Sequence, residues 1–169
     1  MGEPEDNRFL FTDVEFLDKP DVRLIDDLVV YWDHKRAGRM APRRADIDPS
    51  EIVAHLPHLF MLDVIDGGKD FRFRLIGTHL VEGLGRDYTG KLVSEAYGDR
   101  PEVLAQALAV FRLPLRRKGP IFARGRIYWL PDIRYRRFTG ASMPLSDDGV
   151  NVNIVLAEMF VEQGGRLPM

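Results

Sequence analysis

The sequence contains no cysteine, and this absence excludes several kinds of chemistry together. Disulfide bonds, thiolate metal ligands and cysteine nucleophiles all depend on the missing thiol. Disulfides mark oxidising compartments, so their absence agrees with a reducing one. We therefore predict a cytoplasmic protein.

Long apolar runs are absent as well. No stretch approaches the roughly 18 consecutive apolar residues that a membrane-spanning helix needs. The first ten residues, MGEPEDNRFL, lack the basic start and apolar centre of a signal peptide. The sequence predicts no membrane association. A length of 169 residues with 45% hydrophobic content suits one domain with its own core.

Recognisable catalytic and metal-binding motifs are also missing. A phosphate-binding loop ends in Gly-Lys followed by Ser or Thr, whereas Gly90-Lys91 is followed by Leu92. Ser142 stands on a predicted strand and not on the strand-to-helix turn that a hydrolase nucleophile requires. His55 and His58 flank a proline, so they do not share a helix face as zinc ligands would. We predict no catalytic residue, no metal site and no enzymatic activity.

The charges that are present are unevenly distributed. Residues 1–27 hold nine acidic and three basic residues, while residues 112–137 hold nine basic residues and one acidic residue. The formal net charge is only −2, so the whole molecule is not a strongly basic nucleic-acid binder. We expect the acidic start and the basic segment to attract each other, within one chain or between two.

The first periodic pattern predicts a helix near the start of the chain. Asp21 follows a proline and suits the N-cap position, and Gly38 suits a left-handed stop. A buried stripe is predicted at Val22, Ile25, Leu28, Val29 and Trp32. Leu24, Val30 and Tyr31 lie off this stripe. They indicate either a partner surface or the flank of one wide apolar face.

Further along the chain, turns and apolar runs predict an α+β fold. Asp48 caps a short helix that cannot continue past Pro57, and Pro101 opens a longer helix that ends or kinks at Pro114. Strands are predicted at 59–65, 71–76, 121–130, 134–145 and 150–161. Two strands before the helices and three after them predict a five-stranded antiparallel sheet with helices packed on one face. The N-terminal cap helix would cover another part of the sheet.

Short motifs in a fixed order connect the sequence with a known family. They are Tyr31-Trp32, residues 39–42, residues 46–49, Leu56-Pro57, Arg74 with Gly77-Thr78, residues 85–87, Thr89-Gly90, Pro144-Leu145 and Asp148-Gly149. From about residue 31 to about residue 160, the sequence resembles a single-domain PAS-like family of alphaproteobacteria. The resemblance implies a PAS-like fold with a sensory or regulatory function, and it supplies no catalytic residues.

The resemblance also suggests a division of the chain into four parts. Residues 1–18 form an acidic N-terminal arm, 19–55 a helical cap, 56–162 the PAS-like core and 163–169 a C-terminal tail. The arm either docks loosely or frays as a terminus. Because few residues follow the core, we expect any signal to pass through contact with another protein. We also expect a homodimer.

Residues 71–91 raise the question of a ligand site, because glycines stand among charged residues there. The glycines either serve turns or frame a pocket. Many PAS folds form a pocket between this segment and the sheet, where a small metabolite would bind. Candidate ligand-binding residues are Arg74, His79, Arg86, Asp87 and Tyr88. An arginine near a helix start suits an anion, although Arg86 and Asp87 can instead form a surface ion pair.

No cofactor is predicted for this pocket. Cysteine-linked chromophores, which some light-sensing PAS domains carry, are excluded by the composition. Haem is not expected, because His79 is the histidine nearest the candidate pocket and a lone histidine is more often structural. Flavin is not expected either, since no motif supports it.

A basic, aromatic hairpin at residues 124–138 is the last candidate site. Its arginines indicate a partner or dimer surface, a solvated face, or single-stranded nucleic acid bound by phosphate contacts and stacking. The candidate partner interface comprises Leu24, Val30, Tyr31, Arg124 and Arg126. The leading prediction is a non-enzymatic PAS-like regulatory module, and the alternative is a nucleic-acid-associated protein that uses this hairpin.

Overall fold

Six antiparallel strands form one sheet in the computed structural model, which describes residues 14–84, 86–126 and 137–162. The strands are β1 (Val14–Leu17), β2 (Leu59–Ile65), β3 (Asp70–Ile76), β4 (Ile121–Arg126), β5 (Arg137–Leu145) and β6 (Ile154–Val161). Their order across the sheet is β1-β4-β5-β6-β2-β3. The predicted α+β class and antiparallel sheet are confirmed.

The strand count differs from the prediction, because β1 adds a sixth strand. It pairs antiparallel with β4, with Val14 opposite Gly125 and Leu17 opposite Phe122. Four residues are too few to show the alternation of a strand, so the sequence predicted only an arm that docks or frays. The first part of that arm, residues 1–13, lies outside the described residues.

Within the described residues, four α-helices accompany the sheet. They are α1 (Arg23–Arg36), α2 (Thr78–Leu84), α3 (Val93–Tyr97) and α4 (Pro101–Arg117). Helix α4 begins at Pro101 as predicted and continues through Pro114 for three further residues. A proline near the end of a helix removes few backbone hydrogen bonds, which explains why α4 passes it.

The predicted N-cap of α1 is wrong. The N-cap position is held by Val22, whose side chain cannot accept a hydrogen bond. The carboxylate of Asp21 accepts the hydroxyl of Thr139 instead, at 2.5 Å. A long-range contact with β5 therefore replaces the local cap.

The short helix predicted from Asp48 is a series of 3₁₀ turns. They cover Arg44–Asp46, Pro49–Glu51 and Val53–His58. Asp48 does accept the backbone N–H of Ser50, at 2.9 Å, as its predicted capping role requires. Pro57 lies inside the last turn, so it does not end the helical segment where we expected.

The two faces of the sheet carry separate cores. On one face, Leu28 and Trp32 of α1 pack in a cluster with Met143 and Leu156. On the other face, α3 and α4 pack in a cluster that includes Val155, the neighbour of Leu156 along β6. Successive side chains of a strand point to opposite faces, so α1 covers the face opposite α4.

The last three predicted strands are longer than the described ones. The structure describes β4 to Arg126 and β5 from Arg137, so the predicted turn between them, at residues 130–133, lies outside the described residues. The predicted turn between β5 and β6 is present, with Gly149 at φ +78°. The C-terminal tail, residues 163–169, is also outside the described residues.

Candidate ligand cavity and partner surfaces

An apolar cavity of about 100 Å³ lies between α4 and the sheet. Helix α4 lines it with Ala107, Val110 and Phe111. The sheet lines it with Phe60, Phe73, Ile121, Ala123, Phe138 and Met159. Leu80 of α2, Tyr97 of α3 and Val14 at the β1 edge of the sheet line it from the side. Three helices and the sheet therefore meet around one small space.

Aromatic rings hold the α4 wall against the sheet. The ring of Phe111 meets those of Phe60 and Phe71 edge to face, with centroids 6.0 and 5.7 Å apart. Edge-to-face pairs at such distances are a favoured arrangement of aromatic rings. Burial raises the pKa of Tyr97 far above its usual value, so its phenol stays neutral in the cavity wall.

Polar side chains are few around the cavity. Ser142 of β5 lines it and Glu158 of β6 borders it. The Glu158 carboxylate is already engaged, because Nδ1 of His55 lies 3.0 Å from both of its oxygens. A ligand in this space would therefore meet mainly aliphatic and aromatic groups.

The five predicted ligand-binding residues do not belong to this lining. None of them is among the described residues that border the cavity. Arg74 stands on β3 and pairs with Asp63 of β2 at 2.9 Å, with half of its side chain exposed. His79 lies in the first turn of α2 and packs on the ring of His58, with centroids 4.7 Å apart.

Arg86, Asp87 and Tyr88 form a local group after α2. The guanidinium of Arg86 lies 5.8 Å from the ring centroid of Tyr88. Asp87 accepts the hydroxyl and the backbone N–H of Thr89, at 2.6 and 2.9 Å, and these hydrogen bonds lower its pKa. Tyr88 is buried and stacks on the cavity residue Phe73. The structure thus places Tyr88 behind the cavity wall, and a ligand role for the group stays a prediction.

The glycines of residues 71–91 serve different purposes. A Cβ on Gly77 would collide with the backbone of residues 56–57 and lie 2.5 Å from the carbonyl carbon of Pro57. Gly90 has φ +87°, which side-chain-bearing residues rarely adopt. Gly83 has open space around it, and Gly85 lies outside the described residues. Backbone geometry therefore accounts for two of the four glycines.

A buried group of titratable side chains was not predicted. Glu158 is fully buried and His55 is 7% exposed. The ring of His58 packs against His79 and Phe160, with centroids 4.7 and 4.2 Å away. Burial raises the pKa of Glu158 and lowers that of His58. The one sequence signal was a lone carboxylate inside the apolar strand β6.

The motifs near α1 that carried the family resemblance hold the cap in place. Trp32 donates its indole N–H to the carbonyl oxygen of Pro144, at 2.8 Å, which ties α1 to β5. Tyr31 donates its hydroxyl to Glu51 at 2.7 Å and accepts the N–H of Asp48 at 3.0 Å. Tyr31 therefore has a structural role, and its place in a partner interface stays a prediction.

The outer side of α1 borders a groove of about 460 Å³. Val29, Val30 and Met40 line it, together with Lys118 from the link between α4 and β4. Val30 is 62% exposed, whereas Leu24 packs partly buried against the sheet. Of the three α1 residues predicted to meet a partner, Val30 is the most accessible.

Arg124 joins the acidic start of the chain to the basic strand. Its guanidinium lies 2.9 Å from Glu15 and 3.5 Å from Asp21. Arg126 stands opposite Arg137 in the sheet register, and both are exposed. The attraction expected between the two charged segments therefore occurs within the chain. Nucleic-acid binding by this hairpin stays a prediction, with one of its arginines engaged by carboxylates.

Metal ligands do not cluster in the part of the chain that the structure describes. No three His, Asp or Glu side chains there are arranged to hold a metal ion. The helices of the same residues are too short or too polar to cross a membrane.

A comparison with protein families agrees with this architecture. A family model described as a PAS domain matches residues 21–115, more than half of the chain. The matched segment includes α1 and the α4 wall of the cavity. A search of curated proteins finds no match to the chain. The alphaproteobacterial lineage stays a prediction. On its fold and this match, the chain belongs to the PAS-domain family, whose members are sensory or regulatory modules in general.

Proposed function

We propose that this PAS domain is a non-enzymatic regulatory module that binds a small, neutral, apolar ligand in the cavity beneath α4. The observation that carries the proposal is the cavity itself, about 100 Å³ lined mainly by aliphatic and aromatic side chains. One water molecule needs about 10–15 Å³, so the space is larger than a packing defect. An apolar lining favours apolar guests, because a polar guest would lose its hydrogen bonds to water.

Size and charge narrow the class of ligand. Sites for drug-sized ligands usually measure about 300–1,000 Å³, so this cavity suits roughly one aromatic ring or a short alkyl chain. A charged ligand would lose its hydration without gaining a charged partner, since the Glu158 side chain shares the α1 face of β6 with Phe160 and binds His55 there. The hydroxyls of Ser142 and Tyr97 can orient one polar atom of the ligand. An anion bound by Arg86 would lie outside this cavity.

The ligand would act on elements that reach the protein surface. Val14 of β1, Leu80 of α2 and Tyr97 of α3 all border the cavity. A ligand shifts a conformational equilibrium only by binding two states with different affinity. Its effect would therefore come from repacking these contacts. We expect the signal to leave by contact with another protein, at the groove around Val30 or at the β1 edge of the sheet.

Thermal unfolding with toluene, indole and benzoate tests the ligand proposal. We expect the two neutral probes to raise Tm and the charged benzoate to leave it unchanged. Ala107→Leu enlarges a buried side chain of the cavity wall and should abolish the response. Ala105→Leu is the matched control, because it lies on the exposed side of the same helix and should leave the response intact.

Two results would contradict the proposal. One is a wild-type Tm that ignores both neutral probes over their soluble range. The other is a folded Ala107→Leu variant that responds as the wild type does, since the ligand would then bind elsewhere.

A further inference from the structure

Strand β1 is held at the edge of the sheet with little burial. None of its four residues is buried, and Phe16 is 39% exposed. Ordering the backbone costs about 1–2 kcal/mol per residue, which partial burial of this kind offsets only narrowly. β1 therefore belongs with the segments that open locally at low cost.

Strand β4, which pairs with β1 in the sheet, is largely buried in the core. Ile121, Ala123 and Gly125 are buried, and the inner edge of β4 pairs with β5 along its full length. If β1 leaves, the outer edge of β4 presents unpaired N–H and C=O groups. Such an edge is a template for another strand.

The contacts between β1 and β4 select one kind of strand. Glu15 stands opposite Arg124 in the register, and the two side chains pair at 2.9 Å. Val14, the residue before Glu15, reaches the ligand cavity. A strand with an aliphatic residue followed by a carboxylate satisfies both contacts, whereas a basic strand would repel Arg124. The β1 strand of a second copy carries this sequence.

The link between β1 and α1 permits the strand to leave alone. Residues 18–20 form the free part of the link, and three extended residues reach roughly 10 Å. Asp21 fixes the helix end of the link through its hydrogen bond from Thr139. β1 can therefore swing out while α1 stays on the sheet. Links of this kind are where identical chains exchange an element.

We propose that two copies of this chain exchange their β1 strands, each laying residues 14–17 on the β4 edge of the other. The inference deepens the proposed function, because it names a second copy as the partner and the β4 edge as the surface. Both copies use the same surfaces, so the exchange closes as a two-fold dimer. The dimer contains the same β1–β4 contacts as two monomers. Because each dimer forms from two chains, its fraction rises with protein concentration.

The absence of cysteine makes the exchange directly testable. One copy carries only Glu15→Cys and a tagged second copy carries only Arg124→Cys, at positions that are register partners. The copies are mixed at high concentration in a glutathione redox buffer, and disulfide-linked heterodimer is measured on a non-reducing gel. We expect roughly ten-fold more heterodimer than with Lys69→Cys in place of Glu15→Cys, because pairing of β1 with β4 raises the local thiol concentration. Lys69 is exposed in the β2–β3 turn, at the other edge of the sheet.

Two double variants decide what a negative result means. Glu15→Cys with Arg124→Cys, and Leu17→Cys with Phe122→Cys, each place a register pair in one chain. If either pair closes within its chain while the mixed single variants give no more heterodimer than the Lys69→Cys control, the exchange is overturned. If neither pair closes, β1 does not pair with β4 and the proposal fails with it. The response of Tm to neutral probes depends on neither result, so the two proposals fail separately.

Discussion

At the residue scale, Gly77 stands where the backbone has no room for a side chain. A Cβ there would collide with the carbonyl groups of Leu56 and Pro57, and backbone atoms cannot rotate away as a side chain can. We predict that Gly77→Ala lowers the free energy of unfolding by about 1–3 kcal/mol. Urea denaturation measures the change.

Gly83 provides the control for this prediction. It lies in α2 with nothing within 4 Å of a built Cβ. Alanine is the better helix former, so Gly83→Ala should leave stability unchanged or raise it by up to about 1 kcal/mol. If both substitutions lowered the free energy of unfolding equally, the close backbone approach at Gly77 would not explain the loss there.

At the same scale, Glu158 makes the stability of the fold depend on pH. Burial raises its pKa above the ordinary value of 4.5, and the hydrogen bond from His55 only partly opposes this. The folded state then holds a proton that the unfolded state has released. Stability therefore falls as pH rises from about 4.5 toward the raised pKa, by at most about 1.4 kcal/mol per pH unit.

Glu158→Gln tests this pH dependence, because glutamine keeps the shape and cannot ionise. We predict that the variant gains stability relative to the wild type as pH rises from 4.5 to 7. Urea denaturation at a series of pH values measures the difference. A difference that stays constant, or that shrinks over this range, would contradict the account of a buried carboxyl with a raised pKa.

At the scale of elements, one hydrogen bond fastens the cap helix to the sheet. Trp32 of α1 is 4% exposed, and its indole N–H is bound by the carbonyl oxygen of Pro144. Trp32→Phe would leave that buried carbonyl unpaired, and we predict a loss of about 1–3 kcal/mol in unfolding free energy. Tyr31→Phe on the same helix removes two hydrogen bonds, but both are exposed to water, so it should cost less. A larger loss for Tyr31→Phe would contradict the anchoring role of Trp32.

The sequence predicts some elements better than others. Elements set by neighbouring residues are predictable from local patterns, whereas elements that depend on residues far away in the sequence are not. Strand β2 begins and ends where its apolar run does, and the buried stripe of α1 follows the helical period. Strand β1 depends on pairing with β4, more than a hundred residues away, so four residues alone could not reveal it. The pair of His55 and Glu158 likewise forms across the fold. The cavity was expected near the right segments, but its lining depends on which side chains α4 presents.

At the scale of the whole molecule, β6 lies between the two packed faces. Ala157 and Met159 border the cavity on the α4 side. Glu158 between them binds His55, and Phe160 packs with α1 on the other side. Only a single strand therefore separates the packing of the cavity from the cap helix.

We propose that the space beneath α4 is a dry apolar cavity that accepts a small neutral guest. Apolar cavities of this kind bind xenon or benzene. Diffraction from crystals held under xenon gas shows whether the cavity takes up an apolar guest. We predict a xenon peak between Phe111 of α4 and Phe138 of β5, and no peak there in Ala107→Leu. A cavity without xenon, or one filled by ordered water, would contradict the account.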